Sequence, residues 1–200
     1  MHPNQVAESY DQIAHIWRGT AFDGGNGMDQ HKLALNFASG QGGVALDVGC
    51  GSNDRFQNLL RSRGLEYEGV DISTEMLKLA RAAAPHITFH HADICEWVLP
   101  RSYDFISAWD SIWHVPLDKQ PAVLLKLCGG LNPGGVLIFT AGGLELPNEH
   151  ENAHMGVPMY QATLGVPRIL SLLREGGCVL RHFEFDQYPQ PHVYFIAQRV

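Results

Sequence analysis

The sequence predicts an α/β fold: a single domain on a doubly wound, mostly parallel sheet of seven strands, helices on both faces, ending in an antiparallel hairpin. Three observations carry that expectation. Val44-Ala45-Leu46-Asp47-Val48 is the short apolar run that a strand buried on both faces requires, and it empties into Gly49-Cys50-Gly51-Ser52-Asn53. Strand-like runs and helix-like periodicities then alternate as far as residue 140. Last, Cys178–Phe185 and Val193–Gln198 alternate in polarity around Tyr188-Pro189-Gln190-Pro191, the pattern of two paired strands and their turn.

Taken in order, Val6, Tyr10, Ile13, Ala14 and Trp17 recur at helical spacing and predict an amphipathic first helix. The glycine-rich stretch 19–27 breaks it and is a candidate lid hinge. A second helix is expected from Met28 to Ala38, stopped at Ser39-Gly40. After the first strand, Phe56, Leu59 and Leu60 mark a helix ending near Gly64. Tyr67–Ile72 is the second strand, followed by a helix after Ser73; Ile87–His91 is the third, followed by a short helix containing Trp97. Tyr103–Trp109 is the fourth strand, and a helix over Leu117–Leu131 leads through the turn Asn132-Pro133-Gly134-Gly135 to the fifth, Val136–Thr140. Ala141–Gly165 reads as an insertion, a length that in a compact domain points to a lid or substrate loop. Pro167–Glu175 is the last helix.

Composition narrows the partners. Two hundred residues suffice for one sizeable core, and 45% hydrophobic with 18% charged residues describes a globular chain. A formal charge of −7 disfavours a nucleic-acid backbone. No apolar run is long enough to cross a bilayer, and the N-terminus lacks a basic-then-apolar leader. Cys50, Cys95, Cys128 and Cys178 form no C-x-x-C pair and are expected to be reduced, in a cytoplasmic protein.

The chemistry concentrates at the strand ends. Gly49 and Gly51 allow a sharp turn and close approach of a ligand to the main chain, while the helix beginning near Asp54 aims its free N–H groups over it. A dinucleotide turn would carry a third glycine, where this chain continues Ser52-Asn53-Asp54. Asp47, just before the turn, would repel a diphosphate and attract an ammonium group. A ligand with an amino-acid end, a ribose and an adenine suits the turn better. Asp71, about twenty residues on, can accept both ribose hydroxyls or cap the helix after Ser73.

Asp47-Val48-Gly49-Cys50-Gly51, Gly69-Val70-Asp71-Ile72-Ser73, Ala92-Asp93-Ile94, Tyr103-Asp104-Phe105-Ile106-Ser107 and Leu131-Asn132-Pro133-Gly134-Gly135-Val136-Leu137 stand in order over roughly residues 40–140. In these blocks the chain resembles the class I S-adenosylmethionine-dependent methyltransferases, small-molecule type. The resemblance implies a Rossmann-like fold, S-adenosylmethionine as cofactor and S-adenosylhomocysteine as product. It places Asp47, Gly49, Cys50 and Gly51 at the cofactor's amino-acid end, Asp71 at the ribose, Ile72 and Met76 against the adenine, and Asp93 and the Ile94 N–H at the adenine edge. Asp93 has the alternative of capping the following helix. Ala108 leaves room for the methionine chain, and Trp109 offers a face to the sulfonium.

In-line transfer requires alignment more than acid–base help, with a base needed only for a protonated acceptor. Asp110 and His114, four apart, are expected to share a helical face above the pocket as catalytic candidates; His114 before Pro116 can equally be a packing residue. Tyr10, Trp17, Trp113, His150, His154 and Tyr160 are candidates to line the acceptor, Tyr10 and Trp17 alternatively only packing. His150 and His154 beside Glu149 and Glu151 have metal-ligand spacing, but Gly156 and Pro158 interrupt a helix and no third ligand follows, so no metal is expected. His90 and His91 read as packing or surface residues. The expected organisation is a helical cap over 1–40, a cofactor core over 41–140, a lid over 141–165 and the closing helix and hairpin over 166–200. The expected partner is a small methyl acceptor, with no nucleic acid and no membrane. A protein methyltransferase and a non-catalytic cofactor-binding module are the competing readings.

Overall fold

The structure, a computed structural model, describes residues 1–18, 24–38, 42–52, 54–153 and 155–200. Its main sheet has seven strands: β1 (Gly43–Val48), β2 (Leu65–Asp71), β3 (Thr88–His91), β4 (Tyr103–Ala108), β5 (Leu131–Gly142), β8 (Cys178–Glu184) and β9 (His192–Arg199), ordered β3-β2-β1-β4-β5-β9-β8. The pairs from β3 through β5 are parallel, and β9 runs antiparallel to both β5 and β8. Strand order reverses between β1 and β4, so a crevice opens beyond their carboxyl ends.

Both faces of the sheet are apolar, and alternation assigns each residue its layer. Leu46, Ile106, Leu137 and Phe139 face α5 (Gln120–Gly129) and α6 (Val166–Glu175), whose Leu124, Leu127, Ile169 and Leu172 complete that core. Ala45, Phe105, Val136 and Ile138 face α2 (Met28–Leu35) and α3 (Arg55–Ser62) through Leu35, Phe56 and Leu60. Helix α4 (Thr74–Ala83) links β2 to β3. Helix α1 (Pro3–Ile13) continues into a 3-10 turn, Ala14–Arg18.

Four local expectations are corrected. The strand before Val136 begins at Leu131: Tyr103 pairs with Leu131 and Phe105 already with Val136, so Asn132–Gly135 bulge out of one continuous strand. Asn132 Nδ2 donating to Asp104 and Gln198 Nε2 donating to the Gly134 carbonyl anchor that excursion. The segment holding Trp97 is a turn, because Lys126 Nζ draws the carbonyls of Ile94, Cys95 and Trp97 outward at 2.8–3.1 Å. The 141–165 segment contains a second sheet, β6 (Asn148–Asn152) paired antiparallel with β7 (Met159–Thr163). This hairpin backs α1: Tyr160 and Ala162 pack on Val6, Val157 and Met159 on Ile13, and Ser9 Oγ donates to the Pro158 carbonyl at 2.7 Å. His150 therefore stands on an exposed strand, with no helical face to share, and His154 and Asn53 lie outside the described residues. Fourth, Asp110 and His114 do not share a helix face. Asp110 takes a left-handed turn (φ 52°) straight off β4, and only Ile112–His114 wind into a 3-10 turn.

Candidate active site

The turn after β1 is hitched to β2 by the Gly49 and Cys50 N–H groups, both donating to the Val70 carbonyl at 2.8 and 3.1 Å. Gly49 has φ 71°, and a Cβ there would lie 2.4 Å from Ser111 Cβ, so nothing larger lets this turn meet the residue after β4. The Asp71 carboxylate accepts Gly51 N–H on one oxygen and Ser73 N–H on the other, each at 2.8 Å. The cap of α4 is Ser73, whose Oγ accepts Met76 N–H at 3.1 Å, so the strand-tip carboxylate is left to the cavity. Beyond β3, Asp93 Oδ1 accepts Cys95 N–H at 2.8 Å and folds the turn that carries Ile94.

Asp47 is 5% exposed and its Oδ2 accepts the Tyr67 hydroxyl at 2.9 Å. Burial raises its pKa to about 6, against the pull of Tyr67, of Arg55 and of the Ser107 hydroxyl. Ser107 also bonds His31 Nε2 at 2.9 Å, and His31 Nδ1 faces the Gly27 carbonyl at 2.7 Å. A nitrogen facing a carbonyl must carry the proton, so His31 is the neutral Nδ1–H tautomer; burial first of all lowers it to about 3.

At the other end of the cavity, α1 is tied down by three successive residues. Ser9 holds β7's approach, Tyr10 O–H donates to His114 Nε2 at 2.8 Å, and Asp11 accepts Ser73 Oγ–H (2.5 Å) and Glu75 N–H (3.0 Å) at the start of α4. His114 Nδ1 lies 2.6 Å from the Tyr160 carbonyl, so it carries the hydrogen and Nε2 is the bare acceptor, covered by Tyr10 and by Trp113 Nε1–H at 3.0 Å. Burial lowers its basicity to about 4. The lone pair of His114 is therefore already engaged.

Asp110 Oδ2 accepts Asn26 Nδ2–H at 2.9 Å, and Oδ1 accepts His192 Nε2–H at 3.1 Å, while its N–H donates to Thr140 Oγ1. His192 Nδ1–H reaches Asp186 at 2.5 Å. Burial pushes the His192 imidazolium toward deprotonation, but the two carboxylates outweigh it and leave it raised. Trp109, 3% exposed, donates Nε1–H to Asn26 Oδ1 at 3.3 Å. That pairing fixes the Asn26 amide with its nitrogen toward Asp110.

One cavity of about 260 Å³ joins these groups. Its wall brings together Asp47, Gly49, Cys50, Gly51, Asp71, Ile72, Met76, Asp93, Ile94 and Trp109, and with them Tyr10, Trp17, Asp110 and His114. Trp113, His150 and Tyr160 do not line it. Trp113 turns its ring edge to His192 (5.5 Å), and the Tyr160 hydroxyl is spent on Glu149 and Leu117 N–H, its carbonyl alone reaching His114. Sequence reasoning missed Asn26, Arg55 and Ser111 in the wall, and His192 with Asp186 behind it. Arg55 was the one to find: a cation at the start of the helix after the glycine turn. The rest meet only through long-range packing.

S-adenosylmethionine fits this donor set. Asp47 and Arg55 offer opposite charges suited to an α-ammonium and an α-carboxylate beside backbone that glycine leaves bare, and the Asp71 carboxylate lines the same wall. The Ser52 and Ser111 hydroxyls are buried in the wall with no hydrogen-bond partner among the described residues, a sign of a surface built for a polar ligand.

Comparison with known proteins agrees. A family model described as a methyltransferase domain matches residues 45–135. The chain is 28% identical over 145 residues to a dTDP-3-amino-3,6-dideoxy-alpha-D-glucopyranose N,N-dimethyltransferase of Streptomyces fradiae, covering 68% of this chain and 53% of the relative. It is 35% identical over 155 residues to a trans-aconitate 2-methyltransferase of Rhodopseudomonas palustris, covering 76% and 55%. The chain thus spans about half the length of these relatives. Its fold matches the Burkholderia thailandensis 1,6-didemethyltoxoflavin-N1-methyltransferase, solved with 1,6-didemethyltoxoflavin and S-adenosylhomocysteine, at TM-score 0.73 and 18% identity over 100% of this chain and 91% of that one. With its strand order, glycine turn and strand-tip carboxylates, the chain has the fold of the class I S-adenosylmethionine-dependent methyltransferases and matches a methyltransferase domain over residues 45–135.

Proposed function

We propose that this protein is an enzyme that transfers a methyl group from S-adenosylmethionine to a small-molecule acceptor by in-line displacement. The observation that carries the reading is that a single cavity runs from the glycine turn, Asp47 and Arg55 to Tyr10 and Asp110. Asp47 takes the ammonium and Arg55 the carboxylate of the cofactor, Asp71 the ribose, Ile72 and Met76 the adenine faces, and Asp93 with the Ile94 N–H its edge. When bound, the cofactor supplies a methyl group already activated on a sulfonium. The chain aligns the two reactants and excludes water: α1 lies over the cavity, held at Ser9, Tyr10 and Asp11, and Tyr10 is oriented by His114. Trp109 and Trp17 bound the reacting end with aromatic surface.

A small acceptor is supported by the closure of the cavity under α1 and by the small substrates in the names of the relatives, a nucleotide amino sugar and trans-aconitate. The charge of −7 supports a partner other than nucleic acid, and no helix among the described residues is long and apolar enough to cross a membrane. Four cysteines outside any disulfide support a reducing, cytoplasmic setting. Within the chain, 1–40 serve as cap, 41–140 as cofactor core and 166–200 as closing elements, with 141–165 bracing the cap. Isothermal calorimetry tests the reading: S-adenosylhomocysteine is expected to bind one to one and NADH not at all. Binding of NADH without S-adenosylhomocysteine would overturn it.

A further inference from the structure

The acceptor end of the cavity has a hydrogen-bond polarity that selects an acceptor class. Several of the side-chain donors there are directed at protein partners. Tyr10 O–H and Trp113 Nε1–H are spent on His114 Nε2, His114 Nδ1–H on the Tyr160 carbonyl, and Trp109 Nε1–H on Asn26. One of the two Asn26 Nδ2–H groups and His192 Nε2–H are spent on Asp110, and His192 Nδ1–H on Asp186. Facing the cavity are lone pairs, on the Tyr10 oxygen and on the Asp110 carboxylate, whose side chain keeps 27% of its exposure. Burial, followed by the charges of Asp71 and Asp110, holds Tyr10 in its neutral form. The Ser111 hydroxyl, buried in the same wall without a partner, accepts or donates as its ligand requires.

Charge points the same way. Asp110 and Asp186 flank one His192 cation, so the group carries a net negative charge where it meets the cavity. The left-handed backbone at Asp110, with its N–H bonded to Thr140, holds that carboxylate at the β4 tip. An acceptor carboxylate would meet lone pairs and an anion. An amine brings N–H donors to those lone pairs and, as it is methylated, positive charge to that anion.

Resting on the methyltransferase reading, we infer that the acceptor atom is an amine nitrogen, bound through its N–H groups to Asp110 and Tyr10. The acceptor's ammonium first loses a proton to water, and the neutral amine's lone pair then forms the N–C bond as the C–S bond breaks, the C–S electron pair staying on sulfur as a thioether. Positive charge moves from sulfur to nitrogen, beside Asp110, and the methylated ammonium leaves and loses its extra proton to water. Asp110 thus opposes charge that develops in the transition state, and no buried base is required.

The test uses the full chain saturated with S-adenosylhomocysteine, with benzylamine and benzoate as probes and tryptophan fluorescence as readout. Benzylamine is expected to bind at least about tenfold tighter than benzoate. Asp110→Asn, which keeps a residue at ease with positive φ, is expected to erase that preference while S-adenosylhomocysteine affinity changes less than about threefold. Benzoate binding as well as benzylamine (including neither binding), or an amine preference surviving in Asp110→Asn, would overturn the inference. Failure of S-adenosylhomocysteine to bind is a separate result, and it removes the cofactor reading instead.

Discussion

The two ends of the cavity are built in opposite ways. The end assigned to adenosine and amino acid is made of main chain and short side chains at 47–51, 71–73 and 93–95, where the hydrogen bonds that shape the turns join residues at most 21 positions apart. The acceptor end joins Asn26 to Asp110 across 84 positions, Tyr10 to His114 across 104, and Asp110 to His192 across 82. A ligand whose shape never changes is matched by a strand, a turn and a carboxylate that local chemistry can set. A variable acceptor is matched by side chains that meet only once α1, the sheet edge and the β6–β7 hairpin have packed. The ends are therefore expected to respond separately to substitution.

Two glycines offer the sharpest way to break that separation. Gly49 (φ 71°) and Gly27 (φ 82°) share the same backbone strain, but a Cβ at Gly49 strikes Ser111 at 2.4 Å, and one at Gly27 strikes the Trp109 ring at 2.7 Å. Gly49→Val is expected to weaken S-adenosylhomocysteine binding about a hundredfold or more, through strain and the forced separation of the β1 and β4 turns. Gly27→Ala displaces Trp109 and Asn26, and is expected to cut methyl transfer about tenfold with cofactor affinity changed less than threefold. Calorimetry with S-adenosylhomocysteine beside a turnover assay reads both. Equal loss of cofactor affinity in the two variants would show one mechanical unit instead of two ends.

The same division explains what was legible in the sequence. Alternation and glycine spacing are local, so the seven strands, their order of use and the cavity wall from Asp47 to Ile94 could be read residue by residue. Position in the sequence was enough to place Asp110 and His114 at the cavity, but not to give their geometry. A four-residue spacing implies a helix only if φ stays negative, and Asp110 turns left-handed because Thr140 and His192 hold it from strands far along the chain. The 141–165 segment looked like a roof because length alone says nothing of direction. Its Tyr160, Ala162, Val157 and Met159 turn instead to the back of α1. Lys126 is legible in neither way: a cation on the far side of α5 decides that Ile94–Trp97 is a turn.

The pH dependence of cofactor binding sharpens the comparison at the local end. In the proposed binding mode the ammonium is held by ionised Asp47, whose pKa burial raises to about 6. As pH falls from 7 to 5, the carboxylate is protonated and S-adenosylhomocysteine affinity is expected to fall about tenfold, a loss absent in Asp47→Asn. A flat profile in the parent protein would remove Asp47 from the ammonium.

The smallest effect belongs to the distant end, and it is one of stability. His192 lies between Asp110 and Asp186, with a ring nitrogen toward each, and is held protonated more tightly in the fold than in the unfolded chain. A raised value means that its stabilisation is complete below the ordinary histidine range and is lost as pH rises through the folded-state value. Asp47, His31 and His114 also titrate away from their usual ranges, but they do so equally in His192→Gln, so the difference between the two proteins isolates the imidazolium. Parent is expected to be the more stable at pH 6, with the gap narrowing by about 1 kcal/mol toward pH 9, or about 2–4 °C in Tm for a chain of this size. A gap that stays constant would make His192 a neutral spacer. Asp110 and Asp186 would then face each other without a cation between them, and the acceptor end would carry more negative charge than the hydrogen-bond geometry assigns.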